Sequence, residues 1–371
     1  MASKDREFYE SYFWEERRLL FSKKIMTFPH LSKIDTASLD GMHHLGNFIS
    51  HLQFNSGAIP SNQDGSYDPW DHLEAVMGLA TLGFSHEAIL GLQWMKNNQN
   101  EDGSWYNLYK DNQAIEKNKQ SNFSTYIAVA VWHNYLLTND LSLLENFWNS
   151  IEKGMVFALS LQNSNGAIAW NIDESGIADE DYLLTGCSSI AKSIECAIAI
   201  CEILDKSDFK STLITAHSNL LYSIENPIGI FDLKKDRSRF SMDWYYPILS
   251  GATSKDNFAI LIKKIADVFW IPGFGIKCVS TEPWVTVAET SECSIAFKKL
   301  GHEKNAKELL LNAAAIVDKN SVPYMGWQLD EKIYWPKEQP SWTSGALILA
   351  ADANNELTKA SNLFLTKQFS S

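Results

Sequence analysis

The chain has 371 residues, 45% hydrophobic and 21% charged, which is globular composition and excludes a disordered or fibrous protein. A formal net charge of -13 repels phosphate backbones and anionic lipid, so neither nucleic acid nor a membrane surface is expected as a partner. The opening MASKDREFYESYFWEERRLL is charged and aromatic, not basic and then apolar, and no run of about eighteen apolar residues follows, so a cytoplasmic address is expected.

Taken in chain order, residues 1–35 read as a helical extension of one toroid domain covering 1–371. Apolar residues spaced by three and four then predict roughly twelve helices, at about 36–52, 71–83, 85–99, 122–137, 141–162, 186–204, 207–225, 242–251, 255–269, 286–301, 302–318 and 342–357. No alternating strand pattern competes with them. Short breaks such as Thr138-Asn139-Asp140 and Leu300-Gly301-His302 force antiparallel neighbours, and long loops rich in Gly, Asn and Trp join the other pairs. If the two kinds alternate, every long loop emerges at one end, where a binding face can form. The helices after long loops, YIAVAVWHNYLL and SSIAKSIECAIAICEIL among them, are apolar all round, whereas SHEAILGLQWMKNNQ and HEKNAKELLLNAAAIVD have a charged side. Six apolar helices inside six amphipathic ones make an all-α (α/α)6 toroid, a double ring of six helical hairpins.

The loops carry the chemistry. Three of them repeat a pattern, QFNSGAI at Gln53, QNEDGSW at Gln99 and QNSNGAI at Gln162, which reads as a helix end followed by a turn that needs a glycine. YDPWDHLE places Asp68, Trp70, Asp71, His72 and Glu74 at a helix start, with Asp71 and Glu74 one turn apart on one face; Asp71 would also serve as an ordinary first-turn acid. Asp173, Glu174, Asp179, Glu180 and Asp181 crowd the loop before the third inner helix. LKKDRSRF holds Lys234, Lys235, Arg237 and Arg239, and the last three are candidates for binding a substrate phosphate or diphosphate. MDWYYP follows, with Asp243 between aromatic residues that include Trp244 and Tyr245. Glu282-Pro283-Trp284 comes next, then Glu289 inside an apolar helix, where a carboxylate needs a partner or a raised pKa. WPKEQPSW sets Glu338 between Trp335 and Trp342.

Carboxylates interleaved with Trp and Tyr suit sugars, which offer an apolar C–H face for stacking and hydroxyls for charged hydrogen bonds. Two such carboxylates can act as acid and base at a glycosidic bond. Asp71, Asp243 and Glu338 are the acid–base candidates, expected to point into one central cavity. Asp68, Trp70, His72, Trp105, Trp244, Tyr245, Trp284, Glu289 and Trp335 are candidates for holding the substrate. The histidines lack the spacing of a zinc helix, the five cysteines are odd in number without a Cys-x-x-Cys pair, and no phosphate loop or dinucleotide fingerprint occurs. No metal or cofactor is therefore expected, and the partner is a small-molecule or glycoconjugate substrate.

Two resemblances add to this. NQNEDGSWY looks like the Gln-Trp motif of squalene and related terpene cyclases, and the toroid resembles the terpenoid cyclase and protein prenyltransferase superfamily; that would imply an isoprenoid substrate, with the aromatics stabilising carbocations. WHNYLLTNDLSLLENFWNSIEKGMVFALSLQNSNGAI and KEQPSWTSGALILAAD are similar to segments of six-hairpin glycosidases of the glucoamylase kind. That likeness implies a glycoside hydrolase, with Glu338 as general base and one of Asp173, Glu174, Glu180 or Asp181 as general acid. A sugar-binding toroid without catalysis is the third expectation.

Overall fold

The computed structural model describes residues 33–370; the extension expected at 1–35 lies almost wholly outside them. In chain order the helices are α1 (Leu39–Leu52), α2 (Pro69–Thr81), α3 (Ser85–Asn97), α4 (Ser121–Thr125), α5 (Ile127–Thr138), α6 (Leu141–Leu159) and α7 (Leu184–Ile203). They continue as α8 (Ser207–Glu225), α9 (Met242–Ser250), α10 (Lys255–Lys264), α11 (Val287–Lys299), α12 (Glu303–Ala313) and α13 (Ser341–Asn355). A π-turn over Ile265–Phe269 extends α10, and α4 and α5 are one inner element broken at Tyr126.

Inner helices touch in the order α2, α5, α7, α9, α11, α13 and back to α2, which closes the ring. Each has an outer partner: α3, α6, α8, α10 and α12 follow their inner helices, and α1 packs on α13 and α2 where the chain ends meet. This is the (α/α)6 toroid that the hydrophobic periodicity implies. Apolarity sorts the layers: α7 is long and apolar enough to span a membrane, yet 89% of its apolar window is buried in the protein because neighbours surround it. Local chemistry marks the ends. Asp68 caps α2 and Pro69 opens it, Asp140 caps α6, and Asn139 ends α5 in the left-handed region at φ 54°.

The polar repeat is a stitch between consecutive outer helices. Gln99 Nε2 donates to Gly103 O in its own turn and to Ser150 O on α6, both at 2.9 Å. Gln53 binds Gly57 O and Glu87 O of α3 in the same way, and Gln162 binds Gly166 O and Ala216 O of α8. Gly103 has φ +91°, and a Cβ there would stand 2.2 Å from Lys153 O, so glycine is required for the close approach. Where α12 returns to α1 the stitch is reversed: His44 of α1 bonds Ser321 O at 2.9 Å, and Ser321 takes the left-handed turn at φ 61°.

All long loops emerge beside the N-termini of the inner helices. They carry short strands that the periodicity did not predict, because two to four residues are too few to show an alternating pattern. β1 (Ser66–Tyr67), β2 (Leu108–Lys110) and β3 (Gln113–Glu116) form one sheet, and β4 (Lys119–Gln120) pairs with β5 (Asn171–Ile172). β6 (Trp270–Ile271), β7 (Gly275–Lys277), β8 (Trp284–Thr286), β9 (Gly326–Gln328) and β10 (Ile333–Tyr334) form an antiparallel sheet in the order β10-β9-β8-β7-β6. That sheet walls one side of the mouth, and β8 runs directly into α11. At the opposite end the C-terminal segment lies across the ring: Lys299 Nζ donates to Phe364 O at 2.8 Å, and Gln368 N to Glu195 Oε1 at 2.9 Å.

Candidate active site

The floor of the site lies on the ring axis. α2 and α9 stand on opposite sides of the ring, yet Trp70 and Tyr246 meet edge to face with centroids 5.7 Å apart. Tyr126 is 5.4 Å and Phe123 6.3 Å from Trp70, so aromatic rings from three inner elements close the axis. Beneath them Glu74 of α2 accepts from the Tyr126 hydroxyl at 2.5 Å and from the Trp70 indole, while Glu292 of α11 accepts from the Tyr245 hydroxyl. Burial pushes Glu74 up to about 7. Burial, and next the nearby Glu74, hold Glu292 well above the usual carboxylate range. Both carboxylates also act on Tyr126 and Tyr246, so the two acids stand near one pair of rings, on inner helices that flank α13.

Each floor acid has a second carboxylate three residues earlier on its own helix, Asp71 before Glu74 and Glu289 before Glu292. Residues three apart share a helix face and differ by about 4.5 Å in height, so Asp71 and Glu289 sit one turn nearer the mouth on the same two faces. Both are partly open to solvent. Asp71 accepts from Ser61 Oγ at 2.7 Å; burial and then the charge of Asp68 raise it well above its ordinary value. Asp68 is the N-cap, its Oδ1 accepting from Asp71 N at 2.8 Å, and burial raises it to about 6. Glu289 Oε2 is buried with no hydrogen-bond partner, and the Cys278 thiol is bonded to the same carboxylate. A carboxyl whose pKa is raised and a second carboxylate, each one turn nearer the mouth than a floor acid, are the two kinds of group acid–base chemistry needs.

Asp243 opens α9 at the same end but is 5% exposed and already engaged. Thr185 donates to Oδ1, and Arg237 Nε is 3.4 Å from Oδ2. Burial raises its pKa while Arg237 opposes the rise. Asp181 and Asp232 belong to the same cluster: burial, then Asp243, push Asp232 up to about 7. Glu338 is exposed at the rim, where Asn62 Nδ2 donates to it at 3.1 Å. Asp71 and Glu289 are thus partly open at the mouth ends of α2 and α11, Asp243 is buried beside Arg237, and Glu338 is exposed.

The other sequence candidates divide in the same way. Trp70 is at the floor and Trp284 and Trp335 are at the rim. Trp244 is half-buried in the outer wall, with its indole bonded to Ser238 O and Lys264 over its ring. Trp105 is fully buried and donates to Met95 O, which makes it core. His72 is equally buried, pinned between Ile59 N and Gly91 O, and Tyr245 supports Glu292 from beneath. In the basic segment Lys235 lies 4.2 Å over Trp170, Arg237 is paired with Asp243, and both Arg237 and Arg239 stack on Phe240. These cations thus contact the protein's own aromatics and one acid, and Lys235 and Arg239 remain exposed. Sequence reading notes the acids of Glu289 to Glu292 and takes Tyr246 as possible core, but makes none of Glu292, Tyr126, Tyr246 and Ser61 a site candidate. For Glu292 a signal existed: it repeats, at Glu289, the pairing of acids one turn apart in an apolar helix that Asp71 and Glu74 show.

Glu74 makes stability depend on pH. Its carboxyl rises from 4.5 to about 7 on folding, so its stabilising contribution is complete below about pH 4.5 and is lost as pH rises through about 7. Glu74→Gln keeps an acceptor for Tyr126 and removes the titration. The variant should therefore lose less stability between about pH 5 and about pH 8 than the parent, by up to about 3 kcal/mol. Equal pH slopes in denaturant unfolding would show that Glu74 titrates normally.

No family model matches the chain. Among solved structures it resembles a wild-type glycosidase with TM-score 0.69 at 13% identity, covering 89% of this chain and 100% of that one. It also resembles the GH63 mannosylglycerate hydrolase of Thermus thermophilus in complex with glucose, TM-score 0.66 at 8% identity over 84% of this chain and 99% of that one. D-mannose isomerase shares the fold too, TM-score 0.61 at 10% identity over 84% and 96%. Nothing among these supports the likeness to terpenoid cyclases, and the Gln99 motif that suggested it stitches outer helices. In sequence the chain is 35% identical over 316 residues to the MMP endo-(1,4)-3-O-methyl-alpha-D-mannosidase of Mycolicibacterium hassiacum, covering 85% of this chain and 86% of that protein. The chain is a glycoside hydrolase-like (α/α)6 toroid and belongs to the family of that endo-mannosidase.

Proposed function

We propose that the protein is an endo-acting glycoside hydrolase of α-(1,4)-linked 3-O-methyl-mannose chains, with Asp71 as general acid and Glu289 as general base. The observation that carries the reading is the pair of carboxylate ladders, Asp71 over Glu74 and Glu289 over Glu292, on the two inner helices that flank α13. Asp71, kept protonated by burial and by Asp68, gives its proton to the glycosidic oxygen as the C1–O bond breaks. Glu289 takes a proton from the water that attacks C1, so one bond to oxygen is exchanged for another and both residues reset through solvent. The substrate class follows the 35% identical relative. Trp70, partly open to solvent and backed by the buried rings of Phe123, Tyr126 and Tyr246, suits a sugar whose 3-hydroxyl is capped by an apolar methyl. In this scheme Asp243 with Arg237 shapes the wall, and Glu338 contacts substrate at the rim.

The test is incubation of the protein with such oligosaccharides while new reducing ends are counted. Internal cleavage is expected. Binding without cleavage would reassign the protein as a sugar-binding toroid, and neither binding nor cleavage would overturn the substrate class.

A further inference from the structure

We infer that Trp335 and Trp284 form a second, outlying sugar-stacking subsite that holds the substrate chain away from the point of cleavage; this rests on the hydrolase reading above. Trp335 is 50% exposed, whereas every other described tryptophan is buried or half-buried. It is held there by a built arrangement. The Trp284 indole donates to Trp335 O at 2.5 Å, and the two rings stand edge to face, 5.0 Å apart at 83°. The Trp284 indole lies directly across Gly326 of β9: a Cβ on Gly326 would stand 2.5 Å from Trp284 Nε1, so only glycine admits the ring. Trp335 N in turn donates to Gly326 O at 3.0 Å. Three strands thus hold one aromatic pair rigidly at the surface, and a rigid ring stacks on a sugar at little entropic cost.

The position connects to both ladders. Trp284 opens β8, which leads into α11 and reaches Glu289 five residues later. Trp335 precedes Glu338 by three residues. Asn62 donates to Glu338, and Ser61, the residue before Asn62, donates to Asp71. A continuous wall therefore runs outward from the two candidate catalytic carboxylates through Ser61, Asn62 and Glu338 to the Trp pair. On this inference a disaccharide seated over Asp71 and Glu289 leaves the Trp pair empty, whereas a longer chain lies along the wall. The geometry makes the pair a length sensor favouring internal cleavage of long chains.

Trp335→Ala tests this with α-(1,4)-linked 3-O-methyl-mannose oligosaccharides, one a disaccharide and one long. For the long substrate KM should rise about tenfold with kcat unchanged, and for the disaccharide neither constant should move. Titration calorimetry with the long oligosaccharide should show the same weakening, independently of turnover. Equal losses for both lengths, or none for the long one, would overturn the subsite. Should the parent protein bind the long chain without cleaving it, the hydrolase reading fails while the calorimetric comparison still decides the subsite. Absence of binding by the parent overturns both.

Discussion

Replacing Asp71 by Asn is expected to lower turnover by about a thousandfold or more, with the fold unchanged, because proton donation to the leaving oxygen is commonly worth 10²- to 10⁴-fold. The amide matches the carboxyl in volume and still accepts from Ser61 Oγ, so helix α2 and its Asp68 cap stay in place. The loss should depend on the leaving group. A substrate whose departing group is a good anion, such as a nitrophenyl mannoside, needs little protonation, so the defect should shrink on it if Asp71 acts as acid. Glu289→Gln should be equally damaging on both substrates, since water must be activated in either case. The pH profile carries the same signature. Burial and the neighbouring Asp68 hold Asp71 protonated above its ordinary range, so activity should fall on the alkaline side as that proton is lost. An Asp71→Asn variant of full activity would remove Asp71 from the chemistry and return attention to Asp243, another raised acid at the same end.

These assignments show what a chain of letters discloses and what it conceals. Helix positions were legible because burial on one stripe or all round imposes a period that survives in sequence: the run predicted at 207–225 is α8, and the one predicted at 242–251 differs from α9 by one residue. The alternation of short and long connections was legible too, and it correctly put the carboxylate-bearing loops at one end. Depth was not. Trp105 and Trp335 both follow turn-like stretches and look alike as letters, yet one is fully buried in the core and the other is half exposed. The same holds for acids. Asp243 looks isolated in MDWYYP, but the fold brings Arg237 to it from six residues earlier and Thr185 from another helix. Glu338 stands in a motif between two Trp but is exposed, held by Asn62 from a loop far away in sequence. Whether an acid is free depends on partners distant in sequence, and the spacing of acids along one helix was the sole local trace of the ladders.

The closed end of the ring supplies the largest expected effect on stability. Lys192 and Glu195 lie one turn apart on α7, 2.6 Å from Nζ to Oε1, with side chains 1% and 8% exposed. Taking both charges out of water is costly, and their attraction offsets the cost only while both are present. Glu195 Oε1 also accepts from Gln368 N, and Lys192 Nζ donates to Thr366 O at 3.3 Å, so the pair ties the C-terminal segment to the ring. Lys299 joins from α11, donating to Phe364 O and Leu249 O, and burial drives it down to about 7 with Lys192 adding repulsion. Lys192→Met keeps the length of the side chain and removes its charge, leaving Glu195 buried without its partner. Unfolding free energy should fall by about 3 to 5 kcal/mol, and the C-terminal amides should exchange hydrogen faster. Removing both charges, as Lys192→Met with Glu195→Leu, should restore much of that loss because no uncompensated charge remains, although Gln368 N loses its acceptor. If the double variant is as unstable as the single one, the pair acts through its bonds to the C-terminal segment and not through charge. If Lys192→Met costs under about 1 kcal/mol, the cost of a surface pair, the two residues are solvated and the closed end is open to water.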